Sequence, residues 1–447
     1  MMSLQPDTVQ GSFFIRTFGC QMNAHDSEHI AGVLTEGGYV QAETIESADV
    51  VIFNTCCVRE SAEERVWGNL ATMASRAEGS RTIAVCGCMA QRHGVDVLRR
   101  FPGVRLLFGV GSLSRLPELI ESSRQSALCD LGEVSEARID DLPACRRSVS
   151  RAWVPISHGC DNTCSYCVVP LVRGREKSRL PEEIVTEVER LSYAGVVEVT
   201  LLGQNVNSYG HDIEATDGLA GLLEKVARVP GIVRVKFETS HPRDLDDRIL
   251  EVMAGTGPVC EYLHLPVQSG SDRVLEAMNR GYTRDYYLER VTSAREIVGD
   301  LALTTDVIVG FPGETERDFQ DTLDLLRLAQ FDSAYMFIYS PRKGTPAFQL
   351  EDEVRDEEKH RRFQELANVQ DEITRRRLSK IVGRKVEVLV EGPAKLPGQV
   401  TGRTRGHQVI VLPSEQAPVG ALVEADTCGA GGHALRGTVD RILLEPN

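Results

Sequence analysis

Short apolar runs alternate with amphipathic helical stretches along most of this 447-residue chain, and this alternation restricts its fold more than any other feature. In the second part of the chain the strand candidates are AWVPIS, EVTLLGQ, RVKFETS, YLHLPVQ, ALTTDVIVG and SAYMFIYS. Helix candidates such as PEEIVTEVERLSYAG and TERDFQDTLDLLRLAQ lie between them. Strand–helix alternation at this spacing is typical of parallel α/β sheets. Six units in roughly 200 residues predict an incomplete barrel or an open wound sheet.

The first part of the chain repeats this pattern and places a cysteine at each strand end. SFFIRTFGC, ADVVIFNTC and RTIAVCGC read as strands that end at Cys20, Cys56 and Cys88. The carboxyl ends of parallel strands share one edge of a sheet, where ligands bind, so we expect these cysteines to converge. Free cysteines are more commonly small buried apolar residues. Topology alone therefore leaves both a metal cluster and three core positions open.

Three further cysteines stand close together in HGCDNTCSYC, where Cys160, Cys164 and Cys167 follow the spacing C-x3-C-x2-C. A structural zinc site needs four ligands, and no nearby residue completes one at the usual spacing. A disulfide would leave one thiol unpaired. A 4Fe-4S cluster is normally held by four thiolates, so three would leave one iron open to another ligand. The position after the first strand of the six-unit series favours this last interpretation over a chance match.

The bulk properties favour a packed protein of a reducing compartment. No apolar run approaches the roughly 18 residues of a membrane helix, and the start of the chain lacks the pattern of a secretion signal. We therefore expect a cytoplasmic protein without a membrane partner. In such a compartment the twelve cysteines indicate metal binding or catalysis before disulfides.

The charge is unevenly distributed along the chain. A net charge of −15 alone argues against a nucleic-acid partner. However, TRRRLSKIVGRK (374–385) has six basic residues and no acidic one. This stretch is either a solvated helix face, the usual meaning of a charge run, or a local anion-binding patch.

The end of the chain changes character. Residues 123–150 lose periodicity and predict a linker, whereas DEEKHRRFQELANVQDEITRRRL predicts a charged helix. The runs RKVEVLVEG, HQVIVL, GALVEAD and RGTVDRILL follow, with glycine-rich turns between them. Short strands with such turns predict a small β-barrel.

The cysteine loop resembles the signature of the radical S-adenosylmethionine (SAM) superfamily, in which the open iron binds SAM and radical chemistry follows. Seven motifs extend the resemblance to the methylthiotransferase family over nearly the whole chain: TFGCQMNAHDSE, FNTCCVRE, GCDNTCSYCVVPLVRGREKSR, LLGQNVNSYG, HLPVQSGSDRVLEAMNRGY, TTDVIVGFPGET and YSPRKGTPA. The resemblance implies two 4Fe-4S clusters and SAM as cofactors. It assigns Cys160, Cys164 and Cys167 to the radical SAM cluster, and Cys20, Cys56 and Cys88 to an auxiliary cluster.

Several other residues are candidates for the cofactor pocket. Gln204 and Asn205 follow the second strand of the series and offer amide hydrogen bonds. Glu238 stands at a strand end, where its carboxylate would hold ribose hydroxyls, although a surface carboxylate is an equal alternative. Gln268 and Arg280 are further pocket candidates.

Basic residues supply the candidates for RNA contact. Arg173, Arg175 and Lys177 follow the cysteine loop and are candidates for phosphate binding, with solvated charge as the alternative. The C-terminal piece resembles the TRAM module, a small barrel associated with RNA binding. Its sequence TGRTRGHQVIV predicts Arg403 and Arg405 on an exposed turn, where phosphate contacts would give affinity but little base specificity.

We therefore predict an α/β protein of three domains. They are an N-terminal parallel α/β domain with the auxiliary cluster (11–125), a central partial (βα)6 radical SAM barrel (146–376) and a C-terminal small TRAM-like β-barrel (379–445).

The resemblance implies methylthiolation of the adenine ring of N(6)-isopentenyladenosine next to the anticodon of tRNA. The expected partners are the tRNA anticodon stem-loop, an electron donor such as flavodoxin or ferredoxin, and a sulfur source, with the protein acting as a monomer. Alternatives within the family are methylthiolation of threonyl-carbamoyl adenosine in tRNA or of a ribosomal protein aspartate. Outside it, the alternative is a non-catalytic iron–sulfur protein for RNA binding or electron transfer.

Overall fold

The computed structural model describes residues 9–57, 60–75, 81–132, 142–213 and 217–446. Two compact units divide the chain. The first comprises Met1–Arg147, His158–Asp161 and Cys167–Lys177, and the second comprises Ser148–Ser157, Asn162–Tyr166 and Ser178–Asn447. None of the helices in the described ranges is long and apolar enough to cross a membrane.

The first unit is built around a six-stranded parallel sheet with the strand order β2-β1-β3-β4-β5-β6. Its strands are β1 (Gly11–Thr17), β2 (Tyr39–Gln41), β3 (Val50–Thr55), β4 (Thr82–Gly87), β5 (Val104–Phe108) and β6 (Leu128–Asp130). Its helices are α1 (Gln21–Glu36), α2 (Glu60–Ser75), α3 (Cys88–His93), α4 (Asp96–Arg100), α5 (Leu116–Gln125) and α6 (Val169–Arg173). The central strands β3 and β4 are almost entirely buried, as expected for parallel strands with helices on both faces.

The predicted linker 123–150 is wrong at its start. Helix α5 continues to Gln125, and β6 pairs with β5 as the sixth strand of the sheet. Strand β6 has only three residues, too few to show an alternating pattern in the sequence. Residues 133–141 of the predicted linker lie outside the described residues.

The second unit contains all six predicted strands, in two three-stranded parallel sheets with the orders β11-β10-β7 and β12-β13-β14. The strands are β7 (Arg151–Pro155), β10 (Glu198–Leu202), β11 (Arg234–Phe237), β12 (Tyr262–His264), β13 (Ala302–Val309) and β14 (Ser333–Ile338). Two further strands, β8 (Ser157–His158) and β9 (Lys177–Ser178), pair with each other. The predicted α/β architecture with an incomplete barrel is confirmed.

Seven helices accompany these strands in the described part of the second unit. They are α7 (Pro181–Tyr193), α8 (Gly218–Ala227), α9 (Asp247–Gly255), α10 (Asp272–Ala277), α11 (Arg284–Val298), α12 (Glu316–Ala329) and α13 (Asp356–Ser379). The apolar faces of all of them except α10 form one continuous core with the strands, and Val274 of α10 packs in a smaller cluster with Phe311 and Tyr339. Strand β12 is shorter than the predicted run YLHLPVQ because Pro266 has no N–H for a strand ladder.

The C-terminal segment forms the predicted small β-barrel. Its strands β15 (Lys385–Pro393), β16 (Gln399–Thr404), β17 (Val409–Pro413), β18 (Leu422–Gly431) and β19 (Ala434–Leu444) close in the order β15-β16-β17-β19-β18. Strand β16 was missed because its sequence QVTGRT reads as a turn. Gly402 in this strand packs against the backbone of β15, where a Cβ would lie 2.5 Å from the Leu389 carbonyl oxygen.

The barrel is attached to the amino-terminal ends of the core strands by ion pairs. The Arg405 Nε atom lies 2.8 Å from Glu261, which precedes β12. The Arg234 Nε atom at the start of β11 lies 2.8 Å from Glu387 of β15. Arg403 lies within β16 and its Nε atom is 3.3 Å from Glu391. The prediction of an exposed turn is therefore wrong for Arg403, which lies in a strand, whereas Arg405 does follow the strand on a turn but is half-buried and ion-paired.

The basic stretch 374–385 is also largely neutralised. Three of its side chains pair with carboxylates of the second unit: Arg377 with Asp332, Arg384 with Asp300, and Lys385 with Asp440. Arg375 and Arg376 form i,i+4 pairs along α13. The structure thus favours an ion-paired surface over a free anion-binding patch.

Candidate functional site

The three strand-end cysteines of the first unit lie at the same edge of its sheet. Cys56 directly follows β3, Cys88 directly follows β4 as the first residue of α3, and Cys20 caps the start of α1 after β1. In-register parallel pairing aligns the ends of these strands. Gly19, at φ +122°, allows the close approach, because a Cβ there would lie 2.5 Å from the Cβ atom of Cys56. The expected convergence on one edge is therefore observed.

Cys57 and Cys86, which adjoin the strand-end cysteines in the sequence, differ from each other. Cys86 is buried in the apolar core of the sheet. The Cys57 thiol donates a hydrogen bond to Cys88, and this is the largest effect that lowers the pKa of Cys88 to about 6. Cys57 therefore belongs to the surroundings of Cys88, and its position directly after Cys56 was the available sequence signal.

Arg173 reaches the same edge from α6. Its guanidinium lies 3.3 Å from an Asp26 carboxylate oxygen and donates a hydrogen bond to the Cys88 sulfur. Arg173 is 8% exposed and Asp26 is 1% exposed. The prediction that Arg173 is free for phosphate is therefore wrong, whereas Arg175 and Lys177 are exposed and stay predictions.

The loop cysteines are half-buried. Cys160 and Cys167 belong to the first unit and Cys164 to the second. The Cys160 backbone N–H donates to the Gly174 carbonyl, and the Cys167 sulfur accepts a hydrogen bond from the Val169 N–H at 3.5 Å.

No group of three or more His, Cys, Asp or Glu side chains in the described ranges is arranged to hold a metal ion. The assignment of both cysteine sets as cluster ligands stays a prediction.

Cys164 has a buried cationic partner in the second unit. The Nη1 atom of Arg280 lies 3.2 Å from the Cys164 sulfur and 3.4 Å from the Tyr166 hydroxyl. The other terminal nitrogen of Arg280 donates to the Pro266 carbonyl at 3.0 Å. The structure thus brings the predicted pocket residue Arg280 onto one of the predicted cluster cysteines.

Polar atoms without a protein partner cluster along the carboxyl edge of the core strands. Among the described residues, buried side-chain oxygens that lack a hydrogen-bond partner follow β7, β10, β11 and β12: Ser157 Oγ, Gln204 Oε1, Asn205 Oδ1, Ser240 Oγ and Gln268 Oε1. A buried polar atom without a hydrogen-bond partner lowers the stability of the fold unless a ligand or a water molecule pairs with it. SAM carries amino and hydroxyl donors, so the chemistry of this edge fits that cofactor.

Gln268 also carries backbone strain. Its φ is +72°, a left-handed conformation that is unfavourable for a residue with a Cβ. The backbone is fixed there by hydrogen bonds from Gln268 N–H to the Asp306 carbonyl and from Ile308 N–H to the Gln268 carbonyl, each 2.9 Å long. Strain held in this way is typical of functional positions.

Glu238 is buried directly after β11, so the surface alternative is wrong. Burial raises the pKa of its carboxyl group. His264 and Asp306, which we did not single out from the sequence, lie nearby: the His264 Nε2 atom is 3.6 Å from Asp306. The missed signal was the presence of two ionisable residues inside otherwise apolar strand candidates.

Comparison with known proteins agrees with this arrangement. Residues 154–326 match the model of the Radical SAM superfamily, and residues 12–109 match that of uncharacterized protein family UPF0004. A solved radical SAM methyltransferase, TsrM from Kitasatospora setae, has a similar fold at a TM-score of 0.55 and 16% identity, covering 75% of this chain and 76% of that one.

Curated relatives match over nearly the full chain. The relative from Caldicellulosiruptor saccharolyticus is 46% identical over 96% of this chain and 92% of its own length. The relative from Moorella thermoacetica is 46% identical over 95% of this chain and 98% of its own. Both carry the name tRNA-2-methylthio-N(6)-dimethylallyladenosine synthase. The chain therefore belongs to the radical SAM methylthiotransferase family, in the group that these synthases form.

Proposed function

We propose that this protein adds a methylthio group to the adenine ring of N(6)-isopentenyladenosine next to the anticodon of tRNA. The observation that carries the proposal is the identity of 46% to curated synthases over at least 95% of the chain. The position of the predicted cysteines at strand ends and in the loop after β7 supports it.

Two 4Fe-4S clusters and SAM are the cofactors in this proposal. Cys160, Cys164 and Cys167 hold the radical SAM cluster, and three strand-end cysteines of the first unit hold the auxiliary one. When bound, these groups supply the electron, the methyl group and the radical that removes a hydrogen atom from an unreactive aromatic C–H. The chain supplies binding, orientation and exclusion of water.

Arg280 and the orphaned amides hold SAM and its cluster in place. The guanidinium of Arg280 donates to the Cys164 sulfur and balances thiolate charge in a buried setting. The unpaired oxygens of Gln204, Asn205 and Gln268 accept hydrogen bonds from the amino and hydroxyl groups of the cofactor. Glu238 is buried with a raised carboxyl pKa and binds ribose hydroxyls as a donor or an acceptor.

Each of the three proposed domains has a separate role in the reaction. Residues 11–125 carry the auxiliary site, residues 146–376 carry SAM and the reacting base, and residues 379–445 contribute to RNA binding. A base of a single-stranded loop can be splayed out and captured in a pocket, which suits an anticodon loop. The proposal includes an electron donor such as flavodoxin or ferredoxin, a sulfur source, a monomeric state and a cytoplasmic location.

Deletion of the gene followed by mass spectrometry of tRNA nucleosides tests the proposal. We expect isopentenyladenosine without the methylthio group to accumulate in the deletion strain. The parent chain and the control Cys428→Ala, an exposed cysteine of the small barrel, restore the modification, whereas Cys88→Ala and Cys164→Ala do not. An unchanged nucleoside profile, or rescue by both of the latter variants, contradicts the proposal.

Turnover separates an enzyme from an iron–sulfur scaffold. We expect the anaerobically reconstituted protein to cleave SAM and release deoxyadenosine. Absence of deoxyadenosine from protein in which both clusters have been verified would favour the non-catalytic alternative.

A further inference from the structure

Arg173 occupies an unusual place for a basic residue. It follows the last loop cysteine by six positions, yet its side chain is buried within the first unit. There it lines a small pocket together with Cys88, Gly87 and Val172. A guanidinium in such a place has lost its hydration, and the protein must compensate this cost.

The compensation comes from Asp26 on one side and from cysteines on the other. Asp26 lies 3.3 Å from the Arg173 Nη2 atom. Burial would raise the pKa of Asp26, but Arg173, His25 and His158 together outweigh it and the pKa is lowered. Arg173 also interacts electrostatically with Cys20 and Cys88 and donates a hydrogen bond to the latter.

Two buried histidines, His25 and His29, lie behind Asp26. The His25 Nδ1 atom lies 3.8 Å from Asp26, and the His25 and His29 Nε2 atoms are 3.1 Å apart. His29 Nδ1 lies 3.0 Å from the Leu142 carbonyl. A buried ion pair is weak evidence for stability and is often replaceable by apolar side chains. A functional reason for keeping this charge beside the cysteines is therefore favoured.

Iron–sulfur potentials depend on net charge, hydrogen bonds to sulfur and solvent exposure. A fixed positive charge and a donated hydrogen bond both stabilise the more negative, reduced state of a cluster. In a poorly hydrated site such effects are stronger than in water.

We propose that Arg173 is a positioning residue for the auxiliary cluster: anchored by Asp26, it holds the Cys88 sulfur by a hydrogen bond and raises the reduction potential of the cluster. This inference rests on the proposed function, because it requires the second cluster. It assigns a role to a side chain from the segment that follows the radical SAM cysteines.

The test uses the full chain with Cys160, Cys164 and Cys167 replaced by alanine, so that only the auxiliary cluster forms. This parent and its Arg173→Gln, Arg173→Lys and Arg99→Gln derivatives are reconstituted with iron and sulfide without oxygen. Iron per chain is measured, and a redox titration is followed by electron paramagnetic resonance. Arg99 is the matched control, since it is 75% exposed on α4 and pairs with Asp96.

We expect Arg173→Gln to lower the ratio of reduced to oxidised cluster at least about tenfold at a fixed potential, which corresponds to about 59 mV for one electron. Arg173→Lys keeps the charge, so its reduction potential should lie between those of the parent and Arg173→Gln. Arg99→Gln should have the reduction potential of the parent. An Arg173→Gln protein that holds the cluster at the parental potential overturns the inference. A parent that binds no cluster overturns the auxiliary site itself, and the inference with it.

A second variant tests whether a change in potential results from misfolding. Arg173→Gln leaves Asp26 as an uncompensated buried charge, so the double variant Asp26→Asn with Arg173→Gln removes both charges. Thermal unfolding monitored by circular dichroism checks that it folds. The proposal requires a fall in potential in the folded double variant as well, smaller than in Arg173→Gln because the negative charge of Asp26 is also removed, and a parental potential there contradicts it.

Discussion

Single residues at the carboxyl edge of the core strands combine strain with missing hydrogen bonds. Gln268 has both, with φ at +72° and an unpaired side-chain oxygen. A left-handed conformation costs roughly 1–2 kcal/mol for a residue with a Cβ. This strain gives a direct way to separate a structural role from a ligand-binding one.

Replacement Gln268→Gly is expected to leave the free energy of unfolding within about 1 kcal/mol of the parent, because relief of strain offsets lost packing. SAM affinity should fall at least about tenfold, or roughly 1.4 kcal/mol. Denaturant unfolding and equilibrium SAM binding to the reconstituted protein measure the two quantities.

The control is Gln330→Gly at the end of α12, where φ is +49°. It should stabilise the fold slightly and leave SAM binding intact. Unchanged SAM affinity in Gln268→Gly would argue against Gln268 as a cofactor contact.

His264 gives the protein a pH-dependent element of stability. Burial opposes its protonation, but Asp306 and, to a smaller extent, Glu238 together outweigh burial, and the pKa of His264 is raised. The stabilisation is therefore complete below the unfolded pKa of about 6.5 and is lost as the pH rises through the folded pKa. We expect the stability difference between parent and His264→Gln to shrink with rising pH in that window. Asp306→Asn should abolish the trend, and a difference independent of pH would contradict it.

At the residue scale, the strand-end cysteines could be predicted, because the end of an apolar run can be recognised in the sequence. The prediction for Arg173 failed, since its partner Asp26 is 147 positions away and no local pattern encodes the pair. The prediction for Arg405 failed for the same reason, since its partner Glu261 is 144 positions away. Arg403 was misplaced because the sequence of β16 reads as a turn.

Helices and strands follow their local signals closely. Helix α12 begins with a capping box in which the Thr315 hydroxyl accepts from the Asp318 N–H and the Asp318 carboxylate accepts from the Thr315 N–H. Asp318 also accepts from the Ser271 hydroxyl at 2.6 Å, which ties the start of α12 to that of α10. The cap thus serves two helices.

Thr315→Ala is expected to lower the free energy of unfolding by about 1 kcal/mol, because α12 loses its N-terminal cap. Denaturant titration with circular dichroism measures this loss. Thr292→Ala on the exposed face of α11 is the control and should stay within about 0.5 kcal/mol of the parent. Equal stability of the two variants would show that the cap contributes nothing.

At the element scale, all six core strands could be predicted, since buried parallel strands are continuous apolar runs. Strands β6 and β16 and helix α10 could not. Strand β6 and helix α10 are short. Strand β16 is rich in turn-forming residues, so its strand conformation depends on tertiary pairing rather than on local propensity.

At the scale of the whole molecule, long-range ion pairs stabilise contacts that the local sequence pattern does not predict. Arg234 is fully buried. Its guanidinium donates to the Glu387 side chain at 2.8 Å, to the Glu387 carbonyl at 2.9 Å and to the Arg403 carbonyl at 2.9 Å. The small barrel and the core of the second unit are therefore expected to unfold together.

Arg234→Met should cost about 3–5 kcal/mol, because Glu198 and Glu387 lose a buried partner. Differential scanning calorimetry should show a lower melting temperature. Arg228→Met, at a side chain that is 76% exposed, should have little effect. A parental melting temperature for Arg234→Met would exclude this network as a major source of stability.

The small barrel has one more effect, which follows from where it is attached. His407 stacks on Tyr262 with ring centroids 4.7 Å apart, and Gly406 packs so tightly that a Cβ there would lie 2.9 Å from the Cβ atom of Ala302. The small barrel thus covers the amino-terminal ends of β12 and β13. Ligands of the second unit are therefore expected to enter and leave at the opposite edge, where the carboxyl ends of the strands lie.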